Sequence, residues 1–133
     1  MKARAQLLYE KESYAIRGGA FAVYKQFRNR HKENVYLRAL AEHLRTAGLI
    51  VEQEKQLPVY FNSKKVGTYV PDLVIGDRIL IELKCKPAIT RDDVKQFWYY
   101  LKGSDYRVGF LINFGAPNGV QMMRRVYDTA RRS

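Results

Sequence analysis

An α/β fold is predicted, a mixed β-sheet flanked by helices in the order α-α-β-β-β-α-β-β, and three observations carry it. Apolar residues recur at helical spacing through the first third of the chain. β-branched and apolar residues interleaved with charge follow through the middle. A capped helical pattern then precedes a strongly apolar stretch, Arg107–Phe114, as in an α/β sandwich. The chain has 133 residues, 47% of them apolar, with no repeat, low-complexity run or Pro/Gly/Ser linker. That length and composition read as one domain spanning 1–133.

The elements follow in order. Ser13 to Arg28 reads as a helix because Ile16, Ala20, Val23 and Phe27 fall on one face. Glu33 to Ala47 reads as a second, with Tyr36, Leu40 and Leu44 four residues apart and Gly48 where a helix-ending glycine belongs. Leu49 to Tyr60 reads as extended, and Asn62-Ser63-Lys64-Lys65 as a polar turn. Thr68–Ile75 and Arg78–Lys86 read as two strands joined at Gly76-Asp77. Thr90 to Leu101 is the third helix, Thr90 its N-cap, with Asp92 and Asp93 complementing the helix dipole. Arg107–Phe114 is a buried strand, Gly115–Gly119 a loop, and Val120–Tyr127 a last strand or short helix between which periodicity does not choose. The tail Arg131-Arg132-Ser133 is expected to fray.

Charge narrows the partners. Lys and Arg total 24 against 13 Asp and Glu, a net charge of +11. A field of that sign favours a polyanion, whose condensed counterions are released on binding. No apolar run approaches the ~18–20 residues of a membrane span. The first residues, Met1-Lys2-Ala3-Arg4-Ala5, lack the apolar stretch of a secretory signal. The single cysteine, Cys85, excludes an internal disulfide and a cysteine zinc cage. A cytoplasmic, membrane-free protein is expected.

The chemistry concentrates at Pro71-Asp72 and Ile81-Glu82-Leu83-Lys84. Side chains alternate along a strand, so Glu82, Lys84 and Lys86 share a face opposite Ile79, Ile81, Leu83 and Cys85. A three-residue loop pairs Ile75 with Ile79 and Leu73 with Ile81, setting Asp72 against Glu82. A two-residue loop mixes polar with core positions, so apolar patterning selects the first register. Directly opposed Cβ atoms lie ~4.5–5.5 Å apart. Carboxylates that close repel unless a cation sits between them. A hard divalent ion such as Mg²⁺ suits such oxygen donors. Lys84 can then orient a water or neutralise phosphate charge, which suits phosphodiester hydrolysis. An ordinary surface hairpin with solvated Asp, Glu and Lys is the alternative. Gln96 and Tyr100 lie four apart on one face of the following helix. For Tyr100 a core position competes with a site role.

Asp72, Glu82 and Lys84, followed by Gln96 and Tyr100, resemble the PD-(D/E)xK nuclease superfamily with the Gln-x-x-x-Tyr element of its RecB-like members. The resemblance is closer to the small GxxExxY family. Glu33-Asn34-Val35-Tyr36, Asp72, Ile81-Glu82-Leu83-Lys84 and Leu111-Ile112-Asn113-Phe114-Gly115 match its elements. Arg30 stands where the leading glycine of that family falls. The resemblance implies a restriction-endonuclease-like core and a metal, Mg²⁺ or Mn²⁺, held by Asp72, Glu82 and the main-chain carbonyl of Leu83. It implies that Lys84 serves the attacking water and that Glu33 adds an acidic group for the metal or its waters. The expected function is metal-dependent hydrolysis of nucleic acid, DNA favoured over RNA, with Glu33, Asp72, Glu82, Lys84, Gln96 and Tyr100 as catalytic residues. Two rivals are a binding module without cleavage of its own and a junction-resolvase-like endonuclease, which implies a homodimer.

Other residues are weighed against ordinary packing. Arg28, Arg30, His31 and Lys32 form a basic cluster before Glu33 that can touch phosphates, as can Lys86; a solvated helix boundary explains the cluster equally well. Cys85, on the core face, reads as a small buried hydrophobe. His31 and His43 have no evident metal-ligand partners. Of Trp98, Tyr99 and Tyr100, two are expected in the core. Arg124-Arg125 and Arg131-Arg132 are candidate phosphate contacts or simply solvated.

Overall fold

The computed structural model describes residues 8–127. The Arg131-Arg132 tail and the residues at Met1–Ala5 lie outside the described residues. Among the described residues ten elements follow one another: α1 (Glu10–Phe27), α2 (Glu33–Thr46), β1 (Val51–Gln53), β2 (Leu57–Phe61), β3 (Lys64–Tyr69), β4 (Leu73–Ile75), β5 (Ile79–Lys84), α3 (Arg91–Gly103), β6 (Val108–Asn113) and β7 (Gln121–Val126). β1, β4, β5, β6 and β7 form a mixed sheet in that order, and β2 and β3 form a separate two-stranded ribbon. Among the described strands only β5 and β6 run parallel, with α3 as the connection between them. The α/β class, a mixed sheet flanked by helices, is the predicted one.

Both faces of the sheet are buried. Leu73, Ile75, Ile79, Ile81, Phe110 and Ile112 pack with Ile16, Ala20, Tyr36, Leu40 and Leu44 of α1 and α2. Val74, Leu80 and Leu111 point the other way and pack on Phe97 and Leu101 of α3. Gly109 permits that second contact, because a Cβ there would come within 2.9 Å of the Phe97 ring. The helices end as their sequences require: Gly48 follows α2 with a φ of +91°, which glycine adopts without strain. Thr90 caps α3 by accepting from Asp93 N–H at 3.1 Å, while Asp93 accepts from Thr90 N–H at 2.9 Å.

The middle of the chain departs from the expected single strands. Thr68–Ile75 divides into the end of β3 and the short β4, because Val70-Pro71-Asp72 turns the chain out of the ribbon and Pro71 has no N–H for a ladder. Leu49–Tyr60 likewise divides, with Glu54 at a φ of 59° between β1 and β2. The turn is Asn62-Ser63 alone, at φ of 50° and 65°, values that a tight two-residue hairpin loop demands. Lys64 and Lys65 already belong to β3. Val120–Tyr127 resolves as a strand, β7, paired antiparallel with β6.

Candidate active site

The β4–β5 register is Leu73 with Ile81, Val74 with Leu80 and Ile75 with Ile79. Continued one step it sets Asp72 against Glu82, as apolar patterning predicts. Pairing stops at Leu73, and the Asp72 carboxylate takes over: its Oδ2 accepts Leu83 N–H at 2.7 Å. That bond pins the Asp72 side chain beside β5. Asp72 and Glu82 interact directly, and the Glu82 pKa is pushed up to about 8, first by burial and then by Asp72, against the lowering effect of Tyr69 and Lys84. The Tyr69 hydroxyl donates to Glu82 Oε2. Burial, with the Glu82 charge next in weight, holds the Tyr69 hydroxyl protonated well above the usual tyrosine range.

Glu33, the first residue of α2, is brought to the same place. Its carboxyl is raised by burial and by the charge of Asp72, and lowered by Lys84. Tyr36 explains how. Its side chain is fully buried and stacked on Phe114, with ring centroids 4.8 Å apart. Its hydroxyl donates to Arg28 O at 2.5 Å and accepts from His31 N–H at 3.1 Å. The Glu-x-x-Tyr spacing thus uses its tyrosine to shape the loop that enters α2. Arg28, Arg30, His31 and Lys32 are exposed along that loop, immediately before Glu33.

Behind the carboxylates stands Asp93, which the sequence suggests only as a helix-dipole partner. Lys86 Nζ lies 2.8 Å and 3.1 Å from its two oxygens, and Lys84 Nζ lies 3.9 Å away. The Lys86 hydrogen bond, with the Thr90 cap, holds the Asp93 carboxyl down at about 2. Lys86 is therefore turned onto α3, which accounts for its charge without a phosphate. Asn113 ties down the end of β5: its Oδ1 accepts from Lys86 N–H at 3.0 Å and Gly115 N–H at 3.1 Å, and its Nδ2 donates to Lys86 O at 2.9 Å. Gly115 fits against that backbone only without a side chain, since a Cβ would lie 2.2 Å from Lys86 N.

Gln96 and Tyr100 border the cluster, sharing a small recess with Glu82, Lys84 and Asp93. Tyr100 stacks on Tyr69 at 4.1 Å between ring centroids. The core positions of α3 are Phe97 and Leu101, so the expectation that two of Trp98, Tyr99 and Tyr100 are core is corrected: Trp98 is half-buried, while Tyr99 and Tyr100 face solvent. Arg124 is corrected too. It turns inward, donating to Leu8 O at 2.6 Å and Ser13 Oγ at 3.2 Å. Cys85 is partly rather than fully buried, with Sγ 3.4 Å from His31 O. His43 packs on Gly19. Tyr69 had no sequence signal, because its place depends on the ribbon folding back over β5. Asp93 had one, its position at the third residue of a capping box.

Among the described residues no three His, Cys, Asp or Glu side chains are arranged to hold a metal ion by themselves. The oxygen donors gathered here are the Asp72–Glu82 pair, the nearby Glu33 carboxyl and neighbouring main chain. Among the described residues no helix is long and apolar enough to cross a membrane.

The chain is similar in structure to an alkaline exonuclease, LHK-Exo, from Laribacter hongkongensis, with a TM-score of 0.50 and 18% identity. The match covers 74% of this chain and 57% of that one, so the chain spans little more than half of its structural neighbour. No curated protein matches the chain. The model of the PD-(D/E)XK nuclease superfamily, whose members generally use divalent metal ions, matches residues 10–126. With that match running from the start of α1 to the end of β7, the chain belongs to the PD-(D/E)XK nuclease superfamily.

Proposed function

We propose that the chain is a nuclease that hydrolyses phosphodiester bonds in DNA with Mg²⁺, or Mn²⁺ in its place. The observation that supports this best is the meeting of Asp72 and Glu82 beside Lys84. The donor set fits a hard cation. Burial first, and the nearby Asp72 charge second, push the Glu82 carboxyl up to about 8, and a divalent ion would offset both by stabilising the charged pair. Asp72, Glu82 and the Leu83 carbonyl would hold the ion, with Glu33 contributing from α2. When bound, such an ion supplies Lewis acidity toward phosphate oxygen and lowers the pKa of water. Lys84 orients the attacking water and neutralises charge on the phosphate, and Asp93 steadies its ammonium. Gln96 and Tyr100 guide the strand past the carboxylates. Arg28, Arg30, His31 and Lys32 hold flanking phosphates. The Glu33-x-x-Tyr36 arrangement and the Asn113-Phe114-Gly115 strand end support membership in the GxxExxY branch, and a cytoplasmic location belongs to the same reading.

The test is cleavage of labelled single-stranded, duplex and branched DNA with Mg²⁺, Mn²⁺ or chelator. Cleavage with either ion, none with chelator, and a loss of about 10²–10³ in Lys84→Ala and Asp72→Ala are expected. Activity surviving in both variants would overturn the assignment. One rival is a nucleic-acid-binding module without cleavage of its own. Tight DNA binding with no cleavage under either ion would establish that rival. Cleavage confined to branched DNA by a dimer would point to a resolvase.

A further inference from the structure

A cleft of 620 Å³ lies between the β2–β3 ribbon and α3, within the range of ~300–1,000 Å³ common for ligand sites. Val59 of the ribbon and Val70, just beyond it, form one wall. Tyr99 and Tyr100 form the other, and Glu82 and Gln96 lie at its active-site end. The walls are apolar yet open to water: Val59 is 41% exposed, Val70 46% and Tyr99 58%. Apolar surface gathered around one cleft is costly to leave wet and marks a contact site.

We infer that this cleft receives unpaired bases of the DNA strand being cut, so that an unpaired stretch beside the scissile bond is the preferred substrate. The inference rests on the nuclease reading above. Three features select this occupant. The first is aromatic: Tyr69 and Tyr100 are already stacked at 4.1 Å and 18°, and Tyr99 stands beside them with its ring in solvent. Bases inside a duplex have both faces covered by neighbours, whereas an unpaired base has a face free to stack on such rings. The second is charge. Lys102 Nζ sits at the rim, 5.5 Å over the Tyr99 ring, in a chain of net charge +11. A polyanion suits that rim, while an apolar peptide gains nothing from it. The third is continuity: Glu82 lines both the cleft and the recess that holds Lys84. A strand with a phosphate at Lys84 lays its adjoining base between Val59 and Tyr99.

The test uses the full chain in chelator, so that binding is read without cleavage. The probes are a labelled single-stranded DNA oligonucleotide, a blunt duplex of the same length, and a single strand carrying 2-aminopurine. Tighter binding of the single strand and quenching of 2-aminopurine are expected. Tyr99→Ala should weaken single-strand binding about tenfold, Tyr99→Phe should retain it, and Val59→Glu on the facing wall should weaken it as well. Duplex binding should hardly change in any of the three. Equal affinity for single strand and duplex, or unchanged single-strand binding in folded Tyr99→Ala and Val59→Glu, would overturn the inference. So would a wild-type dimer that Tyr99→Ala dissolves, since a second copy would then fill the cleft. Stacking without cleavage in either Mg²⁺ or Mn²⁺ would overturn the nuclease reading alone, and cleavage without stacking this inference alone.

Discussion

At Glu82 a buried carboxyl carries a proton that an exposed one would release, and its pH dependence has a definite sign. Its folded pKa, about 8, stands above the unfolded 4.5. Between those values the folded chain binds more protons than the unfolded one, so metal-free stability falls as pH rises through that window. Glu82→Gln keeps the uncharged form. Its melting temperature in chelator should exceed that of the wild type above pH 8 and match it below the ordinary carboxylate range, with cleavage abolished. Asp93 behaves oppositely. Its folded pKa of about 2 lies below the unfolded 3.8, so its contribution is complete above that upper value and is lost as pH falls through the lower one. Lys86→Ala removes its main partner. Urea unfolding should report a loss of about 1–3 kcal/mol for this charge-assisted bond. Turnover should fall more than DNA affinity, because Lys84, 3.9 Å from Asp93, is drawn toward it. A phosphate-binding Lys86 would give the reverse, weaker binding with turnover intact.

The strand end at Asn113-Phe114-Gly115 is the element on which the site's geometry depends. Asn113 makes two hydrogen bonds across the gap to Lys86 after β5, a third from Gly115 N–H and a fourth to Gln121 Oε1 at 2.9 Å, all while fully buried. Removing its side chain leaves backbone groups of Lys86 and Gly115 unpaired. Asn113→Ala should therefore cost about 2–4 kcal/mol in chemical unfolding, beyond the ~1 kcal/mol expected of Thr90→Ala at the α3 cap. Elements whose signal is local were readable from the residues. The Thr90 cap, the Gly48 stop and the β4–β5 register depend on near neighbours or on strict alternation of apolar side chains. Elements decided by distant packing were not. The segment Thr68–Ile75 is uniformly strand-like, and only the fold puts its two halves into different sheets. Trp98, Tyr99 and Tyr100 are all large aromatics, yet α3 buries Phe97 and Leu101, because the phase of the helix over Val74, Leu80 and Leu111 decides which face is inward. Arg124 illustrates the same limit: a pair of arginines late in the sequence looks solvated until Leu8, just before α1, and Ser13, within it, supply acceptors for one of them.

For the whole molecule, charge and site point to one partner from different directions. A net charge of +11 predicts DNA binding that weakens steeply with salt, with a slope of log K on log [salt] of about −0.9 per phosphate neutralised. Substituting Arg30 or Lys32 by Ala, in the exposed loop before Glu33, should shift that slope by about one and weaken all sequences alike, as titrations at several salt concentrations would reveal. The carboxylate pair was legible in the sequence because Asp72 and Glu82 follow from strand register. The contribution of Tyr69 was not, since it arrives from a ribbon that shares no ladder with the main sheet. The proposal that unites these observations is that Asp72 and Glu82 would hold a divalent ion at the end of β5. A crystal soaked in Mn²⁺ and measured at the manganese absorption edge tests that most directly. An anomalous peak touching both Asp72 and Glu82, and absent in Asp72→Asn, is the expected result; a map without density between those two carboxylates, in a protein that still cuts DNA, would contradict it.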